Sequence, residues 1–201
     1  MTDLWDLERG CRAEGFRTIC GVDEAGRGPL AGPVCAAAVI LPMGLEIPGL
    51  NDSKKLTDGK RRALYDVIVE QAEAYGIAMA DETEIDEINI LQATFNAMDR
   101  AMLQLQKKPD LVLLDGNRAR QFPFPVRTVV RGDSLSANIA AASILAKVTR
   151  DRWMEEMAKT YPRYGFERHK GYGTRAHYAA LTAYGPCPIH RRSFLRKFYG
   201  D

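Results

Sequence analysis

Three strand candidates in this chain lead into an aspartate. Ile19-Cys20-Gly21-Val22 runs into Asp23, residues 111–114 run into Asp115, and residues 126–130 are followed by Gly132-Asp133. A charge placed directly after a buried run sits at the edge of a core. Strand ends hold side chains rigidly while leaving them reachable, which is why α/β proteins gather ligand-binding residues there. The flanking patterns fit such a sheet. Strands are expected at 18–23, 34–41, 75–80, 111–114 and 126–130. Ala36, Ala37 and Ala38 predict that the second is buried on both faces or pressed closely against a helix. Thr57 reads as an N-cap with Asp58 in the first turn. Leu64, Val67, Ile68 and Ala72 mark one face of a helix running to about Ala74. Leu91, Phe95, Met98, Met102 and Leu105 step by four and three, the spacing of an amphipathic helix. A further Ala-rich helix is expected over about 135–158. Strands and helices mixed in this order predict a mixed α/β sheet covered by helices, with the strand order left open.

The 201 residues, 46% of them hydrophobic and 27% charged, suffice for one substantial core and a small appendage. A formal net charge of +2 does not by itself announce a nucleic-acid binder. The distribution is polarised, however. The stretch 81–87 is acidic, while Arg163, Arg168, Lys170, Arg175, Arg191, Arg192, Arg196 and Lys197 crowd the C-terminal quarter. They form either a phosphate-facing surface or a solvated one. Cys11, Cys20, Cys35 and Cys187 make no CxxC pair and no zinc-finger spacing. The charged N-terminus lacks a signal-peptide core, and no apolar run reaches bilayer length, so the expectation is a cytoplasmic protein away from membranes.

Glu24 places a fourth carboxylate beside Asp23. Ionised carboxylates in one site repel unless a cation neutralises them. An all-oxygen set suits Mg²⁺ or Mn²⁺ rather than zinc. Two such ions about 4 Å apart activate a water and stabilise the leaving oxygen of a phosphodiester. Plainer readings stand beside this one. Asp115-Gly116 is also a turn dipeptide, Asp133 or Ser134 also an N-cap, and Glu24 also a surface residue. The loop from Ala25 to Pro33 is neither a Walker A loop nor a dinucleotide fingerprint. Its glycines still allow a ligand close to the backbone, and Arg27 stands where it could grip a phosphate.

The run Gly21-Val22-Asp23-Glu24-Ala25-Gly26-Arg27-Gly28-Pro29-Leu30-Ala31-Gly32-Pro33-Val34 resembles the signature of ribonuclease HII, the type 2 ribonuclease H family. The resemblance extends, in order, to Asn51-Asp52-Ser53-Lys54-Lys55-Leu56, Leu114-Asp115-Gly116 and Gly132-Asp133-Ser134. It continues through the run from Ala141 to Asp151, His169-Lys170-Gly171-Tyr172-Gly173-Thr174 and the run from Pro188 to Phe194. It implies a ribonuclease H-like catalytic core over 1–160 and a C-terminal helical extension over 161–201 that contributes to substrate binding. It implies that Asp23, Glu24, Asp115 and Asp133 are the catalytic, metal-holding carboxylates for two divalent ions, Mg²⁺ or Mn²⁺. It further implies that Gly26, Arg27 and Gly28 read the ribose 2′-hydroxyl through their backbone, and that Tyr172 stacks beside that sugar at an RNA-to-DNA junction. The expected substrates are RNA–DNA hybrids and duplex DNA containing a single ribonucleotide, cut 5′ of the ribonucleotide by a monomer.

The residue types agree with these roles. The 2′-hydroxyl is what distinguishes RNA from DNA. Tyr172 between two glycines has room to lie on a sugar, although it also reads as a loop aromatic. Lys54, Lys55, Lys147 and Lys170 are candidate phosphate holders, Lys147 being equally a solvated helix position. His169, His177 and His190 lack the spacing of a zinc site. A non-catalytic nucleic-acid-binding module would explain the basic C-terminus but not carboxylates grouped at strand ends. The glycine loop and the Tyr172 motif argue against another nuclease on the same fold, transposase-like or junction-resolving.

Overall fold

The sheet is built outward from β1 (Ile19–Ala25). A computed structural model describes residues 3–200, apart from the side chains of Lys55 and Lys197. β1 pairs antiparallel with β2 (Val34–Ile40) and parallel with β4 (Leu111–Asp115). β3 (Ala74–Ala80) closes one edge and β5 (Val126–Val129) the other, giving the order β3-β2-β1-β4-β5. Alternation along each strand divides the two faces. Cys20, Val22, Ala36, Ala38, Val112 and Leu114 pack against α3 (Glu82–Leu103). Cys35, Ala37 and Val39 pack on the other face against α4 (Ala137–Thr160) and α2 (Asp58–Gln71). β2 is buried along its whole length, as its alanines require between two helical layers. Gly21 is obligatory for a different reason: a Cβ there would lie 2.2 Å from the backbone of Asn138, so β1 and α4 touch main chain to main chain.

Helix boundaries follow caps. Thr57 accepts the Lys60 N–H, Asp81 the Glu84 N–H and Ser136 the Ile139 N–H. The acidic stretch 81–87 is thereby the first turn of α3, where the helix dipole favours negative charge. Three boundaries differ from the sequence expectation. α2 ends at Gln71, because Ala72 is already extended and Ala74 pairs with Ile40. β1 continues past Asp23 to Ala25, which pairs with Cys35. α4 starts only at Ala137, because Gly132–Ser134 forms a separate 3-10 turn and Ser136 is the cap. The N-terminal helix α1 (Asp6–Ala13) had no clear pattern, since one of its two buried residues is a glutamate. Glu8 accepts hydrogen bonds from Ser136 Oγ (2.6 Å) and from the Asn138 backbone and amide, tying α1 to the start of α4.

Beyond α4 the chain forms α5 (Phe166–His169), α6 (Arg175–Tyr184) and α7 (Arg192–Tyr199). These pack with Leu30, Ala31 and the last turns of α4 in a separate apolar cluster around Phe166 and Leu181. All four cysteines are free thiols. Among the described residues, no helix is long and apolar enough to cross a membrane.

Candidate active site

Parallel pairing and strand period together bring the carboxylates into one place. Gly21 is in register with Leu113 and Val22 with Leu114, so the next positions, Asp23 and Asp115, leave neighbouring strands side by side. Both point to the α4 face, as Gly21 and Leu113 do. The chain then leaves β5, turns at Arg131 in a left-handed conformation (φ 59°) and delivers Asp133 in the 3-10 turn ahead of α4. Carboxylate oxygens of Asp23, Asp115 and Asp133 all lie within 4.8 Å of one another. Asp115 is oriented by the Gly132 N–H (2.7 Å to Oδ1), and Asp23 accepts the Glu24 N–H (2.7 Å). Asp115-Gly116 is therefore more than a turn, and neither Asp133 nor Ser134 caps α4.

Crowding is visible in the electrostatics. Burial, then the charges of Glu24 and Asp115, pushes the Asp23 carboxyl well above its ordinary range. Burial foremost, with Asp133 adding repulsion, raises Asp115 as well. Among the described residues one ammonium reaches the group: Lys54 Nζ lies 3.2 Å from Asp133 Oδ2. Its short turn, Ser53–Lys55, is pinned to α4 by Ser143 Oγ donating to Ser53 Oγ (2.6 Å).

Glu24 stands apart from the three aspartates. As the next residue along β1 it emerges on the α3 face, where Arg27 Nη1 approaches its Oε1 at 3.3 Å. Burial raises its carboxyl, and Arg27 opposes the shift. Glu24, Arg27, Asp115, Asn117 and Arg118 line a cavity of about 470 Å³ against α3. The other predicted lysines are engaged elsewhere. Lys147 Nζ is bound to Asp151 (2.7 Å), and Lys170 Nζ to Glu155 (3.0 Å) and the Glu167 carbonyl. The Lys55 side chain lies outside the described residues.

The glycine loop is held from behind by two buried arginines. Arg150, 1% exposed, donates to the carbonyls of Pro33 (2.8 Å), Ala31 (3.0 Å) and Lys170 (3.0 Å). Arg191, fully buried, donates to Gly26 (2.6 Å), Arg27 (2.9 Å), Pro29 (2.8 Å) and Gly32 (2.9 Å). Burial, with the nearby Arg150 charge, pushes Arg191 down to about 9, so it stays a cation at neutral pH. Gly26 (φ +97°) has no space for a side chain, since a Cβ would meet Arg150 at 2.0 Å. Arg191 is thus not part of a basic surface, as its place among the C-terminal cations suggested. Neither arginine was singled out from sequence. For Arg150 a signal existed: it interrupts the buried four-residue stripe of Ala142, Ala146, Met154 and Ala158. For Arg191, next to exposed Arg192, there was none.

Tyr172 is 45% exposed in the turn between α5 and α6. Its ring faces Gly28, with Cε1 3.8 Å from where a Cβ on Gly28 would stand. The turn is stitched to the loop by the Leu30 N–H donating to the Gly171 carbonyl (2.8 Å). The structure therefore brings Gly28 and Tyr172 together, directly downstream of Asp23.

Comparison with known proteins agrees with this arrangement. The family model described as Ribonuclease HII matches residues 20–197. A Ribonuclease HII of Ruminiclostridium cellulolyticum is 56% identical over 198 residues, covering 98% of this chain and 78% of its own. One of Geobacter sulfurreducens is 54% identical, covering 98% and 92%. Among solved structures, the ribonuclease H2 of Pyrococcus horikoshii superposes with a TM-score of 0.73 at 28% identity, covering 88% of this chain and 93% of that one. Matched by the family model over residues 20–197 and by relatives at 54% and 56% identity over 98% of its length, the chain belongs to the ribonuclease HII family, endonucleases of the ribonuclease H class that cut the RNA of RNA–DNA hybrids.

Proposed function

We propose that this enzyme cuts on the 5′ side of a ribonucleotide, leaving 3′-hydroxyl and 5′-phosphate ends, and accepts a single ribonucleotide embedded in duplex DNA as well as longer hybrids. Asp23, Glu24, Asp115 and Asp133 hold two divalent ions, Mg²⁺ or Mn²⁺. The observation that carries this reading is the set of three aspartates within 4.8 Å. The donors are all oxygen, as hard divalent cations require. Among the described residues a single lysine stands at the rim, which leaves the set anionic, and an anionic pocket repels a phosphodiester unless cations fill it. When bound, such ions activate water and neutralise the leaving oxygen.

The protein's own contribution is orientation. The Gly132 and Glu24 N–H groups fix two of the carboxylates before any ligand arrives. Glu24, on the opposite side of β1, extends the acidic edge toward the cavity lined by Arg27 and Arg118. Gly26, Arg27 and Gly28 offer backbone groups to the 2′-hydroxyl, and the Tyr172 ring bears on the sugar. Residues 161–201 act as an extension of the core over 1–160. They carry Tyr172 and supply Arg191 to the back of the loop. Lys54 stands where a phosphate would meet the aspartates.

The test is single-turnover cleavage of duplex DNA carrying one ribonucleotide, with Mg²⁺, with Mn²⁺ and with chelator. The expected product is one nick 5′ of the ribonucleotide, in either metal and not in chelator. Cutting of an all-DNA duplex, or undiminished cutting in chelator, overturns the proposal.

A further inference from the structure

We propose that His177, braced by His190, is a positioning residue for Tyr172: its hydrogen bond to the Tyr172 carbonyl aims the exposed ring at the sugar being read. This rests on the reading of Tyr172 as the sugar-contacting ring. The chain has three histidines, and all three meet in the C-terminal cluster. His169 stacks on His177 with centroids 4.5 Å apart, and His177 Nε2 lies 2.9 Å from His190 Nε2.

The hydrogen-bond directions are fixed by chemistry. His177 Nδ1 is 3.0 Å from the Tyr172 carbonyl, which only accepts, so Nδ1 carries the proton. In a neutral ring Nε2 is then an acceptor, and the group facing it must donate, so His190 carries its proton on Nε2. His190 Nδ1 is left as an acceptor, and it meets the Cys187 N–H at 3.0 Å and the Cys187 Sγ at 3.1 Å, both nearer than the Cys187 carbonyl at 3.2 Å. The relay thus runs in one sense, from Cys187 through both imidazoles to Tyr172. Burial, with further repulsion from neighbouring imidazoles, pushes His177 and His190 down to about 4, so both are neutral at the pH of the reaction. His169 supports the same turn: its Nε2 meets the Tyr164 carbonyl (2.8 Å), and its Nδ1 accepts the Gly171 N–H (3.2 Å).

What surrounds the relay explains why an imidazole matters there. His177 is fully buried, with Phe166 edge-on at 5.5 Å and Leu181 in the same cluster. An apolar side chain would fill that space without the desolvation penalty of a polar ring. The imidazole adds two directed hydrogen bonds, and one ends on the residue whose ring is exposed. The Tyr172 carbonyl also accepts the Thr174 N–H (2.8 Å), which closes the turn. His177 ties it to α6, and His190 ties α6 to the glycine loop. Ala31 forms a β-bridge with His190, and the Leu30 carbonyl accepts the Arg191 N–H (2.9 Å). Ring and loop therefore share one support.

Two homologous amides separate positioning from filling. Asn at 177 places its amide nitrogen near the position of Nδ1 and can still donate to Tyr172. Gln places it near Nε2 and cannot. The measurements are single-turnover cleavage at one embedded ribonucleotide, kcat and KM, and thermal unfolding, for His177→Asn, His177→Gln, Tyr172→Ala and the double variant His177→Gln/Tyr172→Ala. A misplacement of about 1 Å can slow a reaction by about a hundredfold, so we expect His177→Gln to lose roughly tenfold to a hundredfold in kcat at steady KM. His177→Asn should retain most of the rate at equal or lower thermal stability. The double variant should be no slower than Tyr172→Ala, because the histidine acts through the tyrosine. Equal loss in the Asn and Gln variants, or a double variant slowed by the product of the two effects, overturns the proposal. A wild-type rate for His177→Gln beside a slow Tyr172→Ala overturns the positioning role alone. A wild-type rate for Tyr172→Ala overturns the sugar-reading assignment and this inference with it. If His177→Gln does not fold, His190→Leu removes the far end of the relay. It should also slow the embedded-ribonucleotide reaction, and a wild-type rate there overturns the proposal.

Discussion

The carboxylate cluster and the glycine loop with its Tyr172 turn lie against the same strand end but are built on opposite principles. Asp23, Asp115 and Asp133 crowd like charges within 4.8 Å, with burial raising Asp23 and Asp115. Little inside the protein relieves them beyond Lys54 and two backbone N–H groups. The glycine loop and the Tyr172 turn are saturated: two buried arginines and a histidine relay donate to their carbonyls. One region is left electrostatically unfinished, which is the state the proposed cations would complete. The other is finished in advance, so the sugar recognition proposed for it would require no ordering when substrate arrives. Chemistry needs the first, because charge is stabilised where it develops; selectivity needs the second, because a reader that moves cannot discriminate.

The sharpest way to break this comparison is to neutralise the unfinished region. Asp115→Asn should lower turnover by about a thousandfold or more, since bound metals supply several kcal/mol of transition-state stabilisation. The same change should leave the metal-free protein as stable as before or more so, because it removes a like charge. Turnover near wild type in a folded Asp115→Asn protein would take that residue out of the site. A large drop in metal-free stability would mean the cluster is not under repulsion.

Next comes the finished region. Arg191→Lys keeps the charge but replaces a fork of donors by an ammonium that cannot reach four carbonyls at once. Leaving buried carbonyls unpaired costs about 1–3 kcal/mol each, so a loss on the order of 3 kcal/mol in urea unfolding is expected. A change below about 0.5 kcal/mol would show that Arg191 does not hold the loop.

The regions should also differ in the sign of their pH response. His177 and His190 are depressed to about 4 in the fold, against an ordinary value of 6.5. Between those values the unfolded chain binds more protons, so stability falls as pH falls from 6.5 toward 4, by about 1.4 kcal/mol per pH unit per ring. Above 6.5 this contribution is fully present and flat. The carboxylates run the other way: Asp23, Glu24 and Asp115 are raised, so their contribution is present at low pH and fades as pH rises through their folded values. Metal-free unfolding measured from pH 4 to 8 for wild type, His177→Asn and Asp115→Asn separates the two slopes. A His177→Asn profile parallel to wild type below pH 6.5 would mean the ring is not held neutral.

The smallest effect belongs to the contact at the rim. If Lys54 holds a phosphate, Lys54→Ala should weaken binding to all sequences alike and reduce the salt slope by about 0.9. An unchanged slope with altered metal affinity would assign the lysine to Asp133 alone.

Much of the active site was legible because its parts are local. Each strand announces itself by an apolar run, and the residue after the run must emerge at the sheet edge. Asp115 and the turn carrying Asp133 could therefore be placed at strand ends without a structure, whereas β1 runs on past Asp23 to Ala25. The helices declared their caps at Thr57 and their stripe at Leu91–Leu105 for the same reason. What one chain position cannot encode is which distant position it meets. The parallel register that sets Asp23 beside Asp115, and the single-residue step that sends Glu24 to the other face of β1, come from strand pairing. The burial of Arg191 and Glu8 was hidden, and that of Arg150 was signalled only by the apolar stripe it interrupts, because a charged residue in a sequence normally signals solvent. Only packing shows that backbone carbonyls or hydroxyl and amide groups from 20 to 165 residues away replace that solvent. Local pattern determined the elements and the candidate residues for the chemistry; the tertiary structure decided their mutual distances and their desolvation, because both depend on contacts between segments far apart in the chain.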